Sequence, residues 1–351
     1  MNTLELAIRP FDASDADYAA RVAIGNELFP DYVETVEEMK HDDAHRDPKL
    51  HHERWMAVTP SGEVVGIATA GHSSWSFHPR KLFVDVSVRK GWHGRGIGTR
   101  LYDHLMASIE RFEPGKLSAG VREDYAASRR FVEKRGFVEQ MREWENHLDV
   151  ASYDPSAFAG KPEAVEASGL RIATLSTLMA EDPDGWGRRL FDCSNAAAAD
   201  IPSADAHTDP DFETWYKRFI GSPNLLPDGY MVALDGPEYV GISTLWASQG
   251  EPNVAYTGIT GVRREYRRRG IALALKLRAL DWAVANGYVK VKTWNNTGNQ
   301  GMLSINYALG FKPQPAWIDY ALVLDPALAE ATAWENNGTF VDPETIAVPV
   351  G

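Results

Sequence analysis

The sequence has almost no cysteine. Cys193 is the single one in 351 residues, which excludes an intrachain disulfide and a cysteine-based zinc site. No apolar run approaches the roughly 18 residues of a membrane span. The opening "MNTLELAIRPFDASDAD" has no basic stretch followed by an apolar one, so no signal peptide is expected. These absences point to a cytoplasmic protein that does not meet a membrane. Positive charge is also scarce: 36 Lys and Arg face 49 Asp and Glu, a formal net charge of −13. That balance argues against nucleic-acid binding and mildly favours cationic or amine-bearing small partners. His41, His45, His51 and His52 lie close together but match no ligand spacing. They read as a polar loop, and no metal is expected. What is present is ordinary: 44% hydrophobic and 24% charged residues, in a length that suits two domains better than one.

The chain repeats itself. "WMAVTPSGEVVGIATA" from Trp55 aligns with "YMVALDGPEYVGISTL" from Tyr230, and "VRKGWHGRGIGTRL" from Val88 aligns with "VRREYRRRGIALAL" from Val262. "RRFVEKRGF" ends at Phe137 as "LSINYALGF" ends at Phe311. All three matches recur at a spacing of 174 or 175 residues. Such a long period means tandem domains rather than a solenoid. The expected boundaries are a first domain at 1–148, a linker at 149–168 rich in Ala, Ser, Pro and Gly, a second domain at 169–326 and a tail at 327–351. Each copy reads as a strand, early helices, a hairpin, a strand running into a glycine-rich turn, a central helix, a strand, a helix and a closing strand. In the first central helix Leu101, Leu105, Ile109 and Phe112 recur at helical spacing. This order predicts an α/β (α+β) fold: a mixed, mostly antiparallel sheet flanked by helices, made twice.

The turns are suited to an anion. A helix N-terminus presents unpaired N–H groups and positive potential, and glycines let a phosphate approach the backbone. The second turn has Arg267, Arg268, Arg269, Gly270, Ile271 and Ala272; the first has His93, Gly94, Arg95, Gly96, Gly98 and Thr99. Neither is a P-loop or the dinucleotide fingerprint. The plain alternative is a solvated basic face, which the recurrence of the same glycine spacing disfavours.

The pattern Arg/Gln-x-x-Gly-x-Gly/Ala between strand and helix resembles the acyl-CoA-binding motif of the GCN5-related N-acetyltransferases. Arg267-x-x-Gly270-x-Ala272 fits it fully; His93-x-x-Gly96-x-Gly98 departs at His93. Asn299 and the Gly310–Phe311 pair match a second element, but in copy one Tyr125 stands where that Asn is expected. The tandem architecture is similar to that of mycothiol synthases. The resemblance implies acetyl-CoA as co-substrate and no metal, with the pyrophosphate on the turn. It places Thr260 and Val262, and Val86 and Val88 in copy one, along the pantetheine arm through their backbones. The reaction implied is acetyl transfer to a primary amine of a small molecule, by a monomer or homodimer.

That reaction needs a neutral amine, donors for an oxyanion and a proton for the thiolate. The family's base positions fall on Leu82, Val84, Tyr256 and Gly258; none is a good base, Tyr256 is the one kept as a catalytic candidate, and a water relay is the alternative to a base. Asp85 is nearby, but alternation turns it to the opposite face from Val84 and Val86. The family's acid tyrosine falls on Val132 and Asn306, with Tyr307 one residue on and about 100° round the helix. Asn306 and Tyr307 are therefore the other catalytic candidates. Glu27, Asp31 and Asp200, in the early-helix loops, are candidates to hold a cationic acceptor; acidic loop residues also cap helices or face water. Copy two, which keeps the Arg, Gly-x-Ala and Asn, reads as the active domain. The rival reading is a non-catalytic CoA-binding sensor or structural protein.

Overall fold

The computed structural model describes residues 5–329. They form two compact units, 5–140 with 318–329, and 141–317. In chain order the first unit builds β1 (Ala7–Pro10), α1 (Asp15–Leu28), α2 (Val36–Ala44), β2 (His52–Val58), β3 (Val64–Gly71), β4 (Lys81–Val88), α3 (Ile97–Ile109), β5 (Lys116–Arg122) and α4 (Ala126–Glu133). Strand β6 (Val138–Asp149) leads into the second unit: α5 (Lys161–Ala167), β7 (Arg171–Thr174), α6 (Leu175–Glu181), α7 (Trp186–Ala198), α8 (Phe212–Trp215), β8 (Met231–Asp235), β9 (Glu238–Trp246), β10 (Val254–Val262), α9 (Ile271–Ala285), β11 (Lys290–Asn296), α10 (Gln300–Ala308) and β12 (Lys312–Pro313). The last strand, β13 (Trp317–Val323), belongs with the first unit.

Local sequence explains the boundaries. Ser14 caps α1 by accepting from the Asp17 N–H, and Thr35 with Glu38 forms a capping box on α2, each satisfying N–H groups the helix cannot. Leu101, Leu105 and Ile109 are fully buried on α3 and Phe112 is partly buried against them, so the 3.6-residue stripe faces the first sheet. Gly287, at φ +77°, follows α9 in the left-handed conformation that ends helices.

Within the first unit the strand order is β1-β2-β3-β4-β5-β13, and within the second β6-β11-β10-β9-β8-β7, with β12 also on β6. The β4–β5 and β10–β11 pairs are parallel, whereas β1–β2, β2–β3, β3–β4, β7–β8, β8–β9, β9–β10, β6–β11 and β6–β12 are antiparallel. The closing strands are exchanged. β6 ends the first copy but pairs with β11, from Asp149↔Lys290 to Glu143↔Asn296, while β13 ends the second copy and stands beside β5. The compact units therefore divide near residues 140 and 317, not at 148 and 326. The expected linker is also structured: α5 lies within it, with Val165 buried against the α9 core and Arg278 paired to Glu163 and Glu166. Its composition masked one buried apolar face. Of the expected tail, residues 330–351 lie outside the described ones.

Candidate active site

Each unit has a parallel strand pair that separates. Strand β4 pairs with β5 only through Lys81↔Lys116, Leu82↔Leu117 and Phe83↔Ser118. Strand β10 pairs with β11 only through Val254↔Lys290, Ala255↔Val291 and Tyr256↔Lys292. Beyond Phe83 and Tyr256 both strands continue without that neighbour, so their edge N–H and C=O groups face an open notch. Thr260, Val262, Val86 and Val88 all lie on these splayed stretches. Val262 is buried in the core, and the Thr260 hydroxyl meets Ser243 at 3.0 Å.

The notches end in equivalent turns. Gly94 and Gly96 (φ +74° and +78°), and Arg268 and Gly270 (φ +59° and +77°), are left-handed. Gly96 and Gly270 are the residues preceding α3 and α9. A Cβ on Gly94 or Gly96 would meet nothing within 4 Å, and on Gly270 only Val165 Cγ2 at 3.8 Å. Such an open, glycine-lined helix start fits a pyrophosphate. Arg267 to Arg269 are exposed around it. The first motif residue does similar work in both copies: Arg267 Nε donates to the Val262 carbonyl at 2.9 Å, and His93 Nε2 lies 2.6 Å from the Val88 carbonyl. Arg95 stacks on Trp92 and Arg269 on Tyr266. Ile97 and Ile271 are buried, a Cβ on Gly98 would lie 3.5 Å from the Phe131 ring, Ala272 packs on the α9 core, and the Thr99 hydroxyl accepts from Arg135 at 3.0 Å.

The residues read as acceptor binders belong to this turn. Asp200, just past α7, holds Arg264 (Nε at 2.9 and 3.1 Å) and also Arg267. Arg264, with Arg267 adding to it, lowers the Asp200 pKa well below the usual carboxylate range. Glu27, near the end of α1, accepts from the Lys90 backbone N–H at 2.7 Å and lies 3.6 Å from Arg89. Both carboxylates latch a helix end to the turn that follows the splayed strand. Asp31 lies 3.4 Å from Arg122. Hence Glu27 and Asp200 are already paired within the protein, which corrects the acceptor reading for both; sequence spacing could not reveal partners more than 60 residues away.

In unit 2, Asn299 caps α10, its side chain accepting from Met302 N at 3.3 Å. Asn306, on α10, is fully buried; its amide donates to Asn295 Oδ1 at 2.6 Å, and its own Oδ1 has no partner. Thr257 Oγ1, Asn296 Nδ2 and the Tyr307 hydroxyl are likewise buried without a hydrogen bond. Burial pushes the Tyr307 phenol up to about 12, so it keeps its proton at neutral pH. Unsatisfied buried polar atoms cost roughly 1–3 kcal/mol each, and four of them on the strands and helix that border one notch suit a polar ligand. Tyr256 is engaged differently. Its hydroxyl bonds Glu251 and accepts from Lys292 at 3.2 Å, and its ring stacks on Trp294 with centroids 5.6 Å apart. It is held in a charged network rather than poised as a base.

Three features had no local signature. Strand β10 carries a β-bulge: Thr257 pairs with Leu245 and Thr260 with Ser243, so Gly258 and Ile259 together oppose Thr244. On the same sheet face Trp246 stands opposite Tyr256 and near Phe219 of a π-helical turn (Tyr216–Ile220). The exchanged β6 adds Glu145 and His147, 2.5 Å apart, opposite Trp294 and Lys292. Bulges and π-turns mark functional sites disproportionately. Only the unusual density of Trp and Tyr in copy two could have hinted at this wall.

The model of the Acetyltransferase (GNAT) family matches residues 21–137 and again 194–311. The chain belongs to this acetyltransferase family. Its chemistry is therefore acyl transfer, and the family uses acetyl-CoA. A mycothiol acetyltransferase of Beutenbergia cavernae is 26% identical over 301 residues, covering 83% of this chain and 91% of that one. The fold is shared with a tandem GNAT protein from the clavulanic acid biosynthesis pathway (TM-score 0.69, 19% identity, covering 92% of this chain and 99% of that chain) and with a GCN5-related N-acetyltransferase from Sphaerobacter thermophilus (TM-score 0.66, 19% identity, 92% and 96%). Among the described residues no helix is long and apolar enough to cross a membrane, and no group of three His, Cys, Asp or Glu could hold a metal.

Proposed function

We propose that this acetyltransferase transfers an acetyl group from acetyl-CoA to a primary amine of a small molecule, and that unit 2 is its main active site. The observation that supports this best is the coincidence, in unit 2 alone, of a bulged splayed strand with a row of buried, unpartnered polar atoms beside the glycine turn. Acetyl-CoA supplies the activated acyl thioester. The chain's part is to seat the pyrophosphate on the N–H groups after Arg268, offer the splayed edge of β10 to the pantetheine, and place donors at the reacting carbonyl. Gly258 and Ile259, turned out of the ladder by the bulge, leave backbone N–H groups available as oxyanion donors. The Tyr307 phenol is the proton source for the leaving thiolate. With Asn306, it lies on α10, whose Asn295 contact ties it to the notch. No side chain acts as base at the bulge, so amine deprotonation passes through water, and positioning supplies much of the rate.

The B. cavernae relative bears the name mycothiol acetyltransferase, which makes a small-molecule acceptor the first to try. The proposed setting is the cytoplasm. The test is thiol release from acetyl-CoA with a panel of small amines, beside calorimetry with acetyl-CoA. Gly270→Glu should remove one binding site and nearly all turnover with the best amine. Gly96→Glu should remove a site and spare that turnover. Binding without release for any amine would favour the CoA-sensor reading instead.

A further inference from the structure

Both sides of the unit 2 notch carry a tryptophan where unit 1 has a glycine. The last parallel pairs, Tyr256↔Lys292 and Phe83↔Ser118, put the two units in register. Trp246 on β9 pairs with Tyr256, and Gly71 on β3 pairs with Phe83. Two residues past the last parallel pair stand Trp294 on β11 and Gly120 on β5. By alternation Trp246, Tyr256, Lys292 and Trp294 share one sheet face. It is the face away from α9, because the strand neighbours Ala255 and Val291 are buried in the α9 core. The α9 face is filled by that core, so an acceptor meets the sheet on the tryptophan face.

Trp246 stands over the bulge. A Cβ on Gly258 would lie 2.5 Å from Trp246 Nε1, so a molecule that reaches Gly258 passes alongside the indole. Phe219, on the π-helical turn Tyr216–Ile220, meets Trp246 edge to face with centroids 6.3 Å apart. Such turns are rare and collect at functional sites. Phe219 is 39% exposed, and Tyr216 on the same turn is 37% exposed; adjoining open rings beside a cleft suit contact with a ligand. The polar groups of this face are paired off. Lys292 Nζ donates to both Glu251 oxygens at 2.9 and 3.0 Å, the Tyr256 hydroxyl bonds Glu251, and Glu145 lies 2.5 Å from His147. What the wall offers an acceptor is ring surface: exposed Phe219 and the partly exposed Trp246 and Trp294.

We infer that unit 2 selects an acceptor whose primary amine is joined by a short apolar tether to an aromatic ring, and that Phe219 and Trp246 are the residues that select it. The inference rests on the reading of unit 2 as an amine acetyltransferase and names the acceptor class for it. The amine reaches the bulge at Gly258. The ring lies against Phe219 and Trp246, with Trp294 on the far side of the notch. Edge-to-face and offset-stacked contacts fix its orientation, and burying it covers the rings that the π-helical turn exposes. Unit 1, with glycine at 71 and 120, has no ring in either place and should lack the preference.

The test uses the full chain in the Gly96→Glu background, so that unit 2 alone is read, with phenethylamine, cyclohexylethylamine and propylamine as probes. By thiol release from acetyl-CoA, kcat/KM for phenethylamine should exceed that for propylamine about tenfold or more, with cyclohexylethylamine between them. Phe219→Ala should lower the phenethylamine value about tenfold, mainly through KM, and leave propylamine turnover and the acetyl-CoA dissociation constant unchanged. Phe219→Tyr, which keeps a ring, should keep the preference. Equal kcat/KM for ring and ringless amines, or a preference indifferent to Phe219→Ala, would overturn the inference and leave the acetyltransferase reading standing. No thiol release with any primary amine would overturn both.

Discussion

Two stretches of strand, Phe83–Val88 and Tyr256–Val262, start from the same parallel pairing and end at the same kind of turn, yet one contains an extra residue. From Phe83 to Val88 every residue of β4 has a partner on β3; in β10 two residues share Thr244. The insertion decides what the strand can do. The regular strand keeps Asp85 exposed on the face away from the core. The bulged strand has Gly258 and Ile259 in that place, opposite the single Thr244. The same duplication has therefore yielded one regular strand with an exposed carboxylate and one bulged strand bordered by buried amides and aromatic rings.

The strongest way to break this comparison is to block the bulge. Gly258 is exposed, and a Cβ there would lie 2.5 Å from both Thr244 Oγ1 and Trp246 Nε1. Gly258→Val should lower kcat with the best amine by about a hundredfold or more, the scale of losing an oxyanion donor. The acetyl-CoA dissociation constant should move little, since the turn is untouched. Asn306→Ala should follow, with a smaller loss of about tenfold, because it removes one amide that contacts Asn295 and faces no partner with its oxygen. Steady-state kinetics and calorimetry on both variants check these outcomes; equal losses of binding and turnover would mean that the bulge shapes the CoA site instead.

Much of this was legible in the sequence. The duplication, the order of elements, the stripe Leu101–Leu105–Ile109 and the glycine-rich turns before the central helices rest on local patterns, and the structure has them where expected. The exchanged strands did not show, because alternation identifies a strand without naming its partner. The bulge did not show either, because it exists only in the register between two strands. It also shifted the alignment, so that Tyr256 corresponds to Phe83 rather than Leu82. Tyr256 is a catalytic candidate in the sequence, and its partners Glu251 and Lys292 come from a loop and from β11. The clustered histidines are not all in a loop: His41 lies in the last turn of α2 and His45 caps it, and His52 opens β2 with a pKa that burial lowers to about 3.

The central helices offer a second contrast, of stability. On α9, Lys276 is buried, its Nζ has no hydrogen bond and lies 5.0 Å from the Phe311 ring, and burial lowers its pKa to about 7. Its counterpart on α3 is Tyr102, which stacks with Arg135. Because the folded value lies below the unfolded 10.5, the unfolded chain holds more protons between those limits. Stability should rise with pH from about 7 toward 10.5 on this account. Lys276→Met should then stabilise unit 2 by on the order of 2–4 kcal/mol at pH 7, with the gain shrinking as pH rises. Denaturant melts at pH 7 and pH 9.5 check it, and a gain independent of pH would assign the effect to packing.

The smallest effect separates the two latches. Glu27 grips a backbone N–H of its turn, that of Lys90, whereas Asp200 grips only guanidinium groups, those of Arg264 and Arg267. The two carboxylates occupy matching places but should respond with opposite signs. Removing Glu27 frees the Lys90 backbone and loosens the loop that sets Gly94 and Gly96, so acetyl-CoA should bind unit 1 more weakly. Removing Asp200 takes an anion away from the phosphate site and releases two cations toward it, while Arg267 Nε stays fixed on the Val262 carbonyl. Acetyl-CoA should then bind unit 2 more tightly, by about two- to fivefold, the scale of an exposed ion pair. That gain should fade as salt rises, since the Debye length falls from about 10 Å at 0.1 M to about 3 Å at 1 M. Calorimetry on Glu27→Ala in the Gly270→Glu background, and on Asp200→Ala in the Gly96→Glu background, reads each site alone. Weakening in both would mean that Asp200 holds its turn in shape through Arg264, as Glu27 does through Lys90.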